Sequence, residues 1–488
     1  MSDYLGSLKL FSVKTIMTTE LEITIGIDGF SSNEKRQKLK GEIYMFKHPK
    51  AICRNKVIFS ALFIFALCFS GTLPAVAGGL IAYEIGTQDV GLASAGYNVR
   101  AQDAATVYTN PAGMTRLDGT QILAAGQLDF SNLSFSPGAG TSPGLGSDDG
   151  GKAFGSDGLF FGGGGFFSYS VSPDLKLGLA MTGNFGAPMK YNDNWVGRYY
   201  VQEGTLLGIS FVPAIAYKVT SKLSLGGSVT AMRGIYRNKV AINNVNPNYG
   251  DGQMKMDDDS WGWGVNLGLL YEFTKGTRFG LTWNSQVNLD FDAQPEFSNL
   301  APGLQKLLNR RGLTNSTINV GISAPQQLMG SIFSQVSDRW AVLGSVGWQQ
   351  WSKFGQVMFG IEDTVNPTSL TQDLDFKDTW HLAAGAQYRI SAPWLLNFGM
   401  AYDSDFQDGS SVSPMMPANS AWRFGAGVEN QVSKMFKWGV AAEYLYGGTL
   451  DTNLQSTLPV AIGQRGDLVG SYDDIGTLFA SVYFSWTF

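Results

Sequence analysis

Reactive side chains are scarce in this chain of 488 residues, and the scarcity constrains its chemistry first. Histidine occurs at His48 and His381, and cysteine at Cys53 and Cys68. Hydrolysis by a protein nucleophile needs a Ser, Cys or Thr with a base beside it. His381 is the only histidine beyond residue 77, and no Gly-x-Ser-x-Gly elbow accompanies it, so no enzyme is expected. The glycine run Gly162–Gly165 lacks the Gly-Lys-Ser/Thr that completes a phosphate loop. Asp257, Asp258 and Asp259 offer carboxylates to a divalent ion shared with lipopolysaccharide, or form a solvated acidic loop. No protein-bound metal or cofactor is expected. The remaining candidates bind rather than react. Arg423 offers a cation to a ligand carboxylate, with Glu429 and Glu443 as alternative partners. Leu300, Leu304, Leu307 and Leu308 recur near a helical period ahead of Arg310 and Arg311. That stripe is either an apolar capture surface or a face packed on a neighbouring loop.

Composition narrows the frame that holds these residues. Charged residues make up 15 % of the chain, against about 25 % in ordinary globular proteins. Glycine accounts for 61 positions and aromatics for 13 %. The net charge of −5, without a basic stripe, argues against nucleic acid as a partner. One long apolar run exists, Val57–Phe69, shorter than the ~20 residues of a membrane-spanning helix. It reads as the core of an export signal, with Lys47, Lys50, Arg54 and Lys56 ahead of it and Ala75-Val76-Ala77 behind. Residues 45–77 are therefore expected to be a signal peptide cleaved after Ala77, and residues 1–44 a non-structural extension or a mis-assigned start ahead of Met45. Lipid attachment at Cys68 is the rival reading, but Leu67 stands where a small residue is wanted. The leader holds ten of the 35 basic and six of the 40 acidic residues, so its removal leaves a net charge of −9. Both cysteines leave with it, and with them any disulfide or thiolate metal site.

Beyond the leader the chain alternates with period two. Trp261, Trp263, Val265, Leu267, Leu269, Tyr271 and Phe273 fall on one face; Gly262, Gly264, Asn266, Gly268, Leu270 and Glu272 fall on the other. Segments from Trp340, Trp380 and Trp394 repeat the pattern, with aromatics towards the ends of the apolar face. Trp340 to Trp348 spans about 26 Å as a strand, or roughly 20 Å of height when tilted, close to the apolar band of an outer-membrane barrel with two aromatic girdles. A soluble β-sandwich also alternates, but leaves the small, polar face with little to pack. Fourteen such segments occur. Short links at Ser172–Asp174, Thr220–Ser221, Thr274–Gly276, Ser337–Asp338, Ser391–Ala392 and Ser433–Met435 alternate with long ones near 131–157, 185–203, 239–259, 292–323, 353–375, 404–419 and 448–472. The fold expected over residues 119–488 is all-β: a 14-stranded antiparallel transmembrane β-barrel, placing the protein in the bacterial outer membrane as a monomer. Its final strand ends at Phe488, the residue expected to signal to the barrel-assembly machinery. A barrel this wide stands open unless filled. Residues 78–118 alternate poorly and carry the turn-forming Asn110-Pro111, so they are expected to fold back as an N-terminal plug; an extension outside the barrel is the alternative.

This segment resembles the hatch of the FadL/TodX family of outer-membrane transporters for hydrophobic compounds. The similarity lies in Ile85-Gly86, in Gly91-Leu92-Ala93-Ser94-Ala95-Gly96, and in Asp103 to Met114, whose Asn110, Pro111 and Ala112 look like the family's hatch signature. It continues at Trp195-Val196-Gly197-Arg198-Tyr199, Pro213 to Tyr217, Trp348 to Phe354 and Asp378 to Gly385. Before the twelfth strand the family carries Pro-Asp followed by Arg. Here the run is Pro417-Ala418-Asn419-Ser420-Ala421 with Arg423 beyond, so the charged contact of relatives is absent or displaced. The resemblance implies uptake of long-chain fatty acids or other hydrophobic molecules: capture in an outer apolar groove, passage to an inner pocket, hatch movement, and exit through a wall opening at a kinked third strand. Gly183, Asn184, Phe185 and Gly186 are candidates for that opening, or else begin a loop; their glycines suit a bulge. Leu300, Leu304, Leu307, Leu308, His381 and Arg423 are the candidate ligand contacts. A water-filled diffusion porin is the competing function.

Overall fold

The computed structural model describes residues 83–142, 150–153, 158–244, 248–407, 412–418, 420–456 and 465–488. The expected leader, its cleavage site and residues 78–82 of the expected hatch lie outside this set.

Fourteen strands close one antiparallel barrel: β1 (Gln121–Pro137), β2 (Leu159–Ser170), β3 (Leu175–Lys190), β4 (Glu203–Lys218), β5 (Leu223–Ile242), β6 (Gly252–Glu272), β7 (Thr277–Asn284), β11 (Gln327–Gln335), β12 (Trp340–Gln349), β15 (Thr379–Ser391), β16 (Trp394–Asp403), β17 (Ala421–Ser433), β18 (Phe436–Leu454) and β19 (Leu468–Thr487). The ladder from Gln121↔Thr487 to Pro137↔Gly470 joins first strand to last, so no edge is left to be solvated in lipid. Phe488 completes the seam by exchanging backbone hydrogen bonds with Thr120 at 2.8 and 3.1 Å. The two faces follow the sequence pattern. Trp261, Trp263, Val265 and Leu267 are exposed outward, while Asn266 and Leu270 are buried inward. Ring pairs mark both girdles, Trp340 with Tyr388 at 4.5 Å near the short turns and Tyr402 with Trp422 at 5.0 Å near the long connections.

Two connections expected as loops are sheet instead. Residues within 292–323 and 353–375 contribute β10 (Thr317–Ala324), β13 (Gln356–Glu362) and β14 (Thr368–Asp373), which join β8 (Val287–Ala293) in a four-stranded sheet ordered β14-β13-β10-β8. The wall strands do not stop at the rim but bend inward. β7 passes into β8 at Ser285-Gln286, and β10 passes into β11 at Pro325-Gln326, where the missing proline N–H breaks the ladder. Val287, Leu289, Phe291 and Ala293 of β8 are buried against the inner wall. A Cβ on Gly234, Gly262 or Gly264 would meet their side chains, so those lumen-facing glycines make the room. A short β9 (Glu296–Ser298) pairs on the outer end of β6.

Candidate functional site

The hatch sits inside the barrel as the sequence anticipates, and its motif residues explain how. A 3₁₀ turn spans Val90–Leu92, a single helical turn Thr106–Thr109, and a second 3₁₀ turn Pro111–Arg116. Asn110 caps the last of these: its Oδ1 accepts from Ala112 N at 3.1 Å, and Pro111 fills the first turn, where a backbone N–H would go unused. Asn110 Nδ2 donates to Asn98 O at 2.7 Å and to Leu269 O at 3.0 Å, tying both halves of the hatch to β6. Glycines on the inner wall form the seat. Gly385, Gly399 and Gly425 are direct cross-strand neighbours on β15, β16 and β17. A Cβ on Gly399 would collide with the Leu92 carbonyl, one on Gly425 with that of Val90, and one on Gly385 with Ala95. Gly226 faces Pro111-Ala112 and Gly268 faces Asn110 in the same way.

Buried polar contacts hold this seat. Arg100 bridges Asp89 at 3.0 Å and Asp103 at 2.8 Å within the hatch. Burial pushes the Asp89 carboxyl above its ordinary range against the pull of Arg100. For Asp103 burial acts in the same sense but is outweighed by Arg100 and Lys437, which leave it below its ordinary value. Arg278 of β7 donates to the carbonyls of Val99, at 2.8 Å, and of Arg100.

Arg423 is fully buried and pairs with Glu84 of the hatch, with Asp403, and with Glu443 at 3.1 Å. His381 Nδ1 lies 2.7 Å from Asp403 Oδ1, and the Tyr83 ring stands 4.4 Å from the imidazole. The two expected ligand contacts, Arg423 and His381, are therefore brought together in a hatch-to-wall lock, and the cation is already matched by three carboxylates. Glu443 was an anticipated partner of Arg423; Glu429 pairs with Lys437 at 3.1 Å instead. Glu84 and Asp403 carried no signal in the sequence, because Glu84 is 339 positions from its arginine.

Above the lock Trp351, Phe354, Phe376, Phe406, Leu289 and Phe291 pack into a buried apolar cluster. Trp351 stacks on Phe406 at 5.2 Å. Its indole N–H donates to Gln349 Oε1 at 2.7 Å, and Gln349 Nε2 donates to the Tyr83 hydroxyl at 2.6 Å, so the cluster and the hatch are linked by two hydrogen bonds. A separate cavity of about 50 Å³ lies between Tyr108, Phe185, Met232, Asn266 and Val287.

Gly183, Asn184, Phe185 and Gly186 lie within β3 rather than beginning a loop, and the β3–β4 register shifts between Gly183 and Phe185. Pairing of β2 with β3 ends at Gly164↔Thr182, although both strands continue outward. Gly163 and Gly186 have φ of +143° and +97°, backbone that a side chain resists. Gly86 of the hatch sits at this seam, where a Cβ would lie 3.3 Å from Ala125, Gly126 and Gly163.

Outside the wall, Pro302–Arg311 forms the expected helix, none of whose side chains is buried; Leu307 is 42 % exposed, and Leu304 and Leu308 are half-buried. Leu300 packs separately, facing Gly252. The acidic run is strand rather than loop. Asp257 and Asp259 lie in β6 and pair with Arg237 and Arg233 at 3.1 and 3.0 Å.

Comparison with known proteins agrees with this architecture. The chain is 24 % identical over 397 residues to the long-chain fatty acid transport protein of Salmonella typhi, covering 76 % of this chain and 88 % of that one. It is 26 % identical to outer membrane protein P1 of Haemophilus influenzae over 357 residues, 66 % of this chain and 75 % of the relative. The crystal structure of a Pseudomonas aeruginosa FadL homologue superposes with a TM-score of 0.72 at 19 % identity, over 84 % of this chain and all of that one. The P. putida toluene transporter TodX superposes with a TM-score of 0.61 at 15 % identity, over 84 % and 98 % of the two chains. The family profile described as outer membrane protein transport protein (OMPP1/FadL/TodX) matches residues 68–483, and the chain belongs to that family of the outer membrane.

Proposed function

We propose that this chain carries long-chain fatty acids or related hydrophobic molecules inward across the outer membrane, by capture outside, hatch movement inside and release sideways through the wall. The observation that carries this reading is the position of the hatch: Gly86 rests on β1 and β2 at Ala125, Gly126 and Gly163, beside the stretch where β2 and β3 come apart. Relatives named for long-chain fatty acids and for toluene frame the substrate class. In this reading Leu307 and the half-buried Leu304 and Leu308 of the Pro302–Arg311 helix collect ligand, and the apolar Trp351–Phe406 cluster parts to receive it. The hydrogen bonds through Gln349 then pass its arrival to Tyr83. The lock at Arg423 holds the hatch until that arrival. Lipid and lipopolysaccharide surround a monomeric barrel, and the assembly machinery engages its closing strand. The alternative of a diffusion porin does not account for a lumen packed with side chains.

Cross-linking tests the mechanism. Gln102 Nε2 lies 2.9 Å from Gln387 Oε1, between hatch and wall. Cysteines at both positions, bridged by a short thiol cross-linker, are expected to abolish uptake of radiolabelled hexadecanoic acid and to restore it on reduction. Uptake that persists under full cross-linking rules out hatch movement, and large steady single-channel currents from the untreated protein favour the porin.

A further inference from the structure

Asp129 is anomalous among the residues that line the lumen. It is fully buried, and among the described residues the Gln127 amide is the one side chain that offers its carboxylate a hydrogen bond, without closing one of full geometry. It lies on the inner face of β1 between its cross-strand neighbours Phe479 of β19 and Phe160 of β2. Two residues away on that face, Gln127 accepts from the hatch amide of Gly86 through Oε1 at 3.1 Å, while its Nε2 faces Asp129 without a full hydrogen bond. Both side chains converge on Gly162, where a Cβ would lie 3.5 Å from Gln127 Nε2 and 3.6 Å from Asp129 Oδ2. Gly162 belongs to the stretch of β2 that β3 leaves unpaired. An acceptor and a donor thus face each other at the inner edge of the seam, incompletely satisfied by one another. The nearest charges continue the same cross-strand row: Glu443 beyond Phe479, then Arg423 with Asp403 and Glu84.

A buried carboxylate so incompletely partnered is costly, so the site calls for something that supplies a proton donor. One that also offers an acceptor on the same carbon is a carboxylic acid. Its O–H would donate to Asp129 and its carbonyl would accept from Gln127 Nε2. Two ionised carboxylates do not share such a site, so the pair holds a single proton in a strong O–H···O⁻ bond. The exit beyond is hydrocarbon, where an ionised head is expensive. A fixed cation would retain the anion; a fixed carboxylate passes the head on in its protonated form. We infer that Gln127 and Asp129 form a handover site for the protonated carboxylic-acid head of a long-chain ligand at the β2–β3 seam. Where the ligand arrives as the anion and Asp129 as the acid, the proton moves from Asp129 to the ligand oxygen, and water supplies its replacement. The hatch covers the site through Gly86, so the handover follows hatch movement. This inference rests on the uptake reading above and adds the chemistry of the head.

The test compares hexadecanoic acid with its methyl ester, which has no O–H to give, in proteoliposomes holding the full chain. The wild type is expected to favour the acid. Asp129→Leu is expected to lower the acid-to-ester transport ratio about fivefold, the worth of roughly one hydrogen bond. Asp129→Asn keeps the shape and the fold, and is expected to lower the ratio by a smaller factor, since the amide accepts but shares no charge. A wild type that carries both compounds, with a ratio unmoved by either variant, overturns the handover site alone. A wild type that carries neither overturns the uptake reading itself, and this inference with it.

Discussion

Across β15, β16 and β17 the ladder runs the length of the strands, shifting only beside the turn at Arg389/Ser391, and the hatch is bedded on a row of glycines, whereas across β2 and β3 the ladder ends part-way and the hatch rests on its edge. Both arcs use glycine, to opposite ends. At Gly385, Gly399 and Gly425 the missing Cβ admits another backbone; at Gly163 and Gly186 the missing Cβ permits backbone that takes the wall apart. The lesson is directional. In the uptake reading proposed above, a barrel that grips its contents on one side and parts on the other would have its exit chosen before any ligand arrives.

That contrast can be broken from the gripping side. Arg423→Ala leaves Glu84, Asp403 and Glu443 buried together without their cation, a loss of about 3–5 kcal/mol. The hatch is expected to undock and steady ion current to appear in single-channel recordings; a channel that stays closed would place the seal elsewhere. The seam offers the next largest effect. Deleting Asn184 removes the residue that shifts the β3–β4 register, and is expected to lower hexadecanoic acid uptake about tenfold, a change worth ~1.4 kcal/mol, with the barrel still folded by heat-modifiable gel mobility. Undiminished uptake would detach release from the seam. The smallest effect sharpens the comparison by touching neither arc. Leu304→Ser with Leu307→Ser on the exposed helix is expected to reduce uptake about twofold at limiting ligand, in proportion to a few tenths of a kcal/mol of apolar contact, and not at saturation. An equal loss at saturation would move these leucines from capture to a later step.

The wall was legible because membrane strands obey a strict rule. Trp261 to Glu272 can only alternate, and the short Ser/Thr turns punctuate it. The hatch was legible from Asn110-Pro111-Ala112, whose capping geometry is local. The inner sheet was not. Val287 to Ala293 alternates like any wall strand, and nothing nearby in sequence says that it turns inward at Gln286 and is buried against Gly234 and Gly262. The Arg423 lock was half legible, since Glu443 lies on the next strand while Glu84 comes from the far end of the chain. Asp129 gave no sign at all, because an acidic residue on a lumen face is unremarkable until its burial with only the Gln127 amide facing it is seen.

The shortness of the link between hatch and wall carries a mechanical consequence. Only Leu117, Asp118 and Gly119 separate the last hatch turn from Thr120, which is pinned to Phe488. Three extended residues reach about 10 Å. If the hatch moves as proposed, the Pro111–Arg116 end serves as the knuckle of a flap, and the stroke that clears the bore falls to the far part of the hatch that holds Glu84 and Gly86. Under that proposal the hatch swings aside and returns without ever being expelled as a stopper would be.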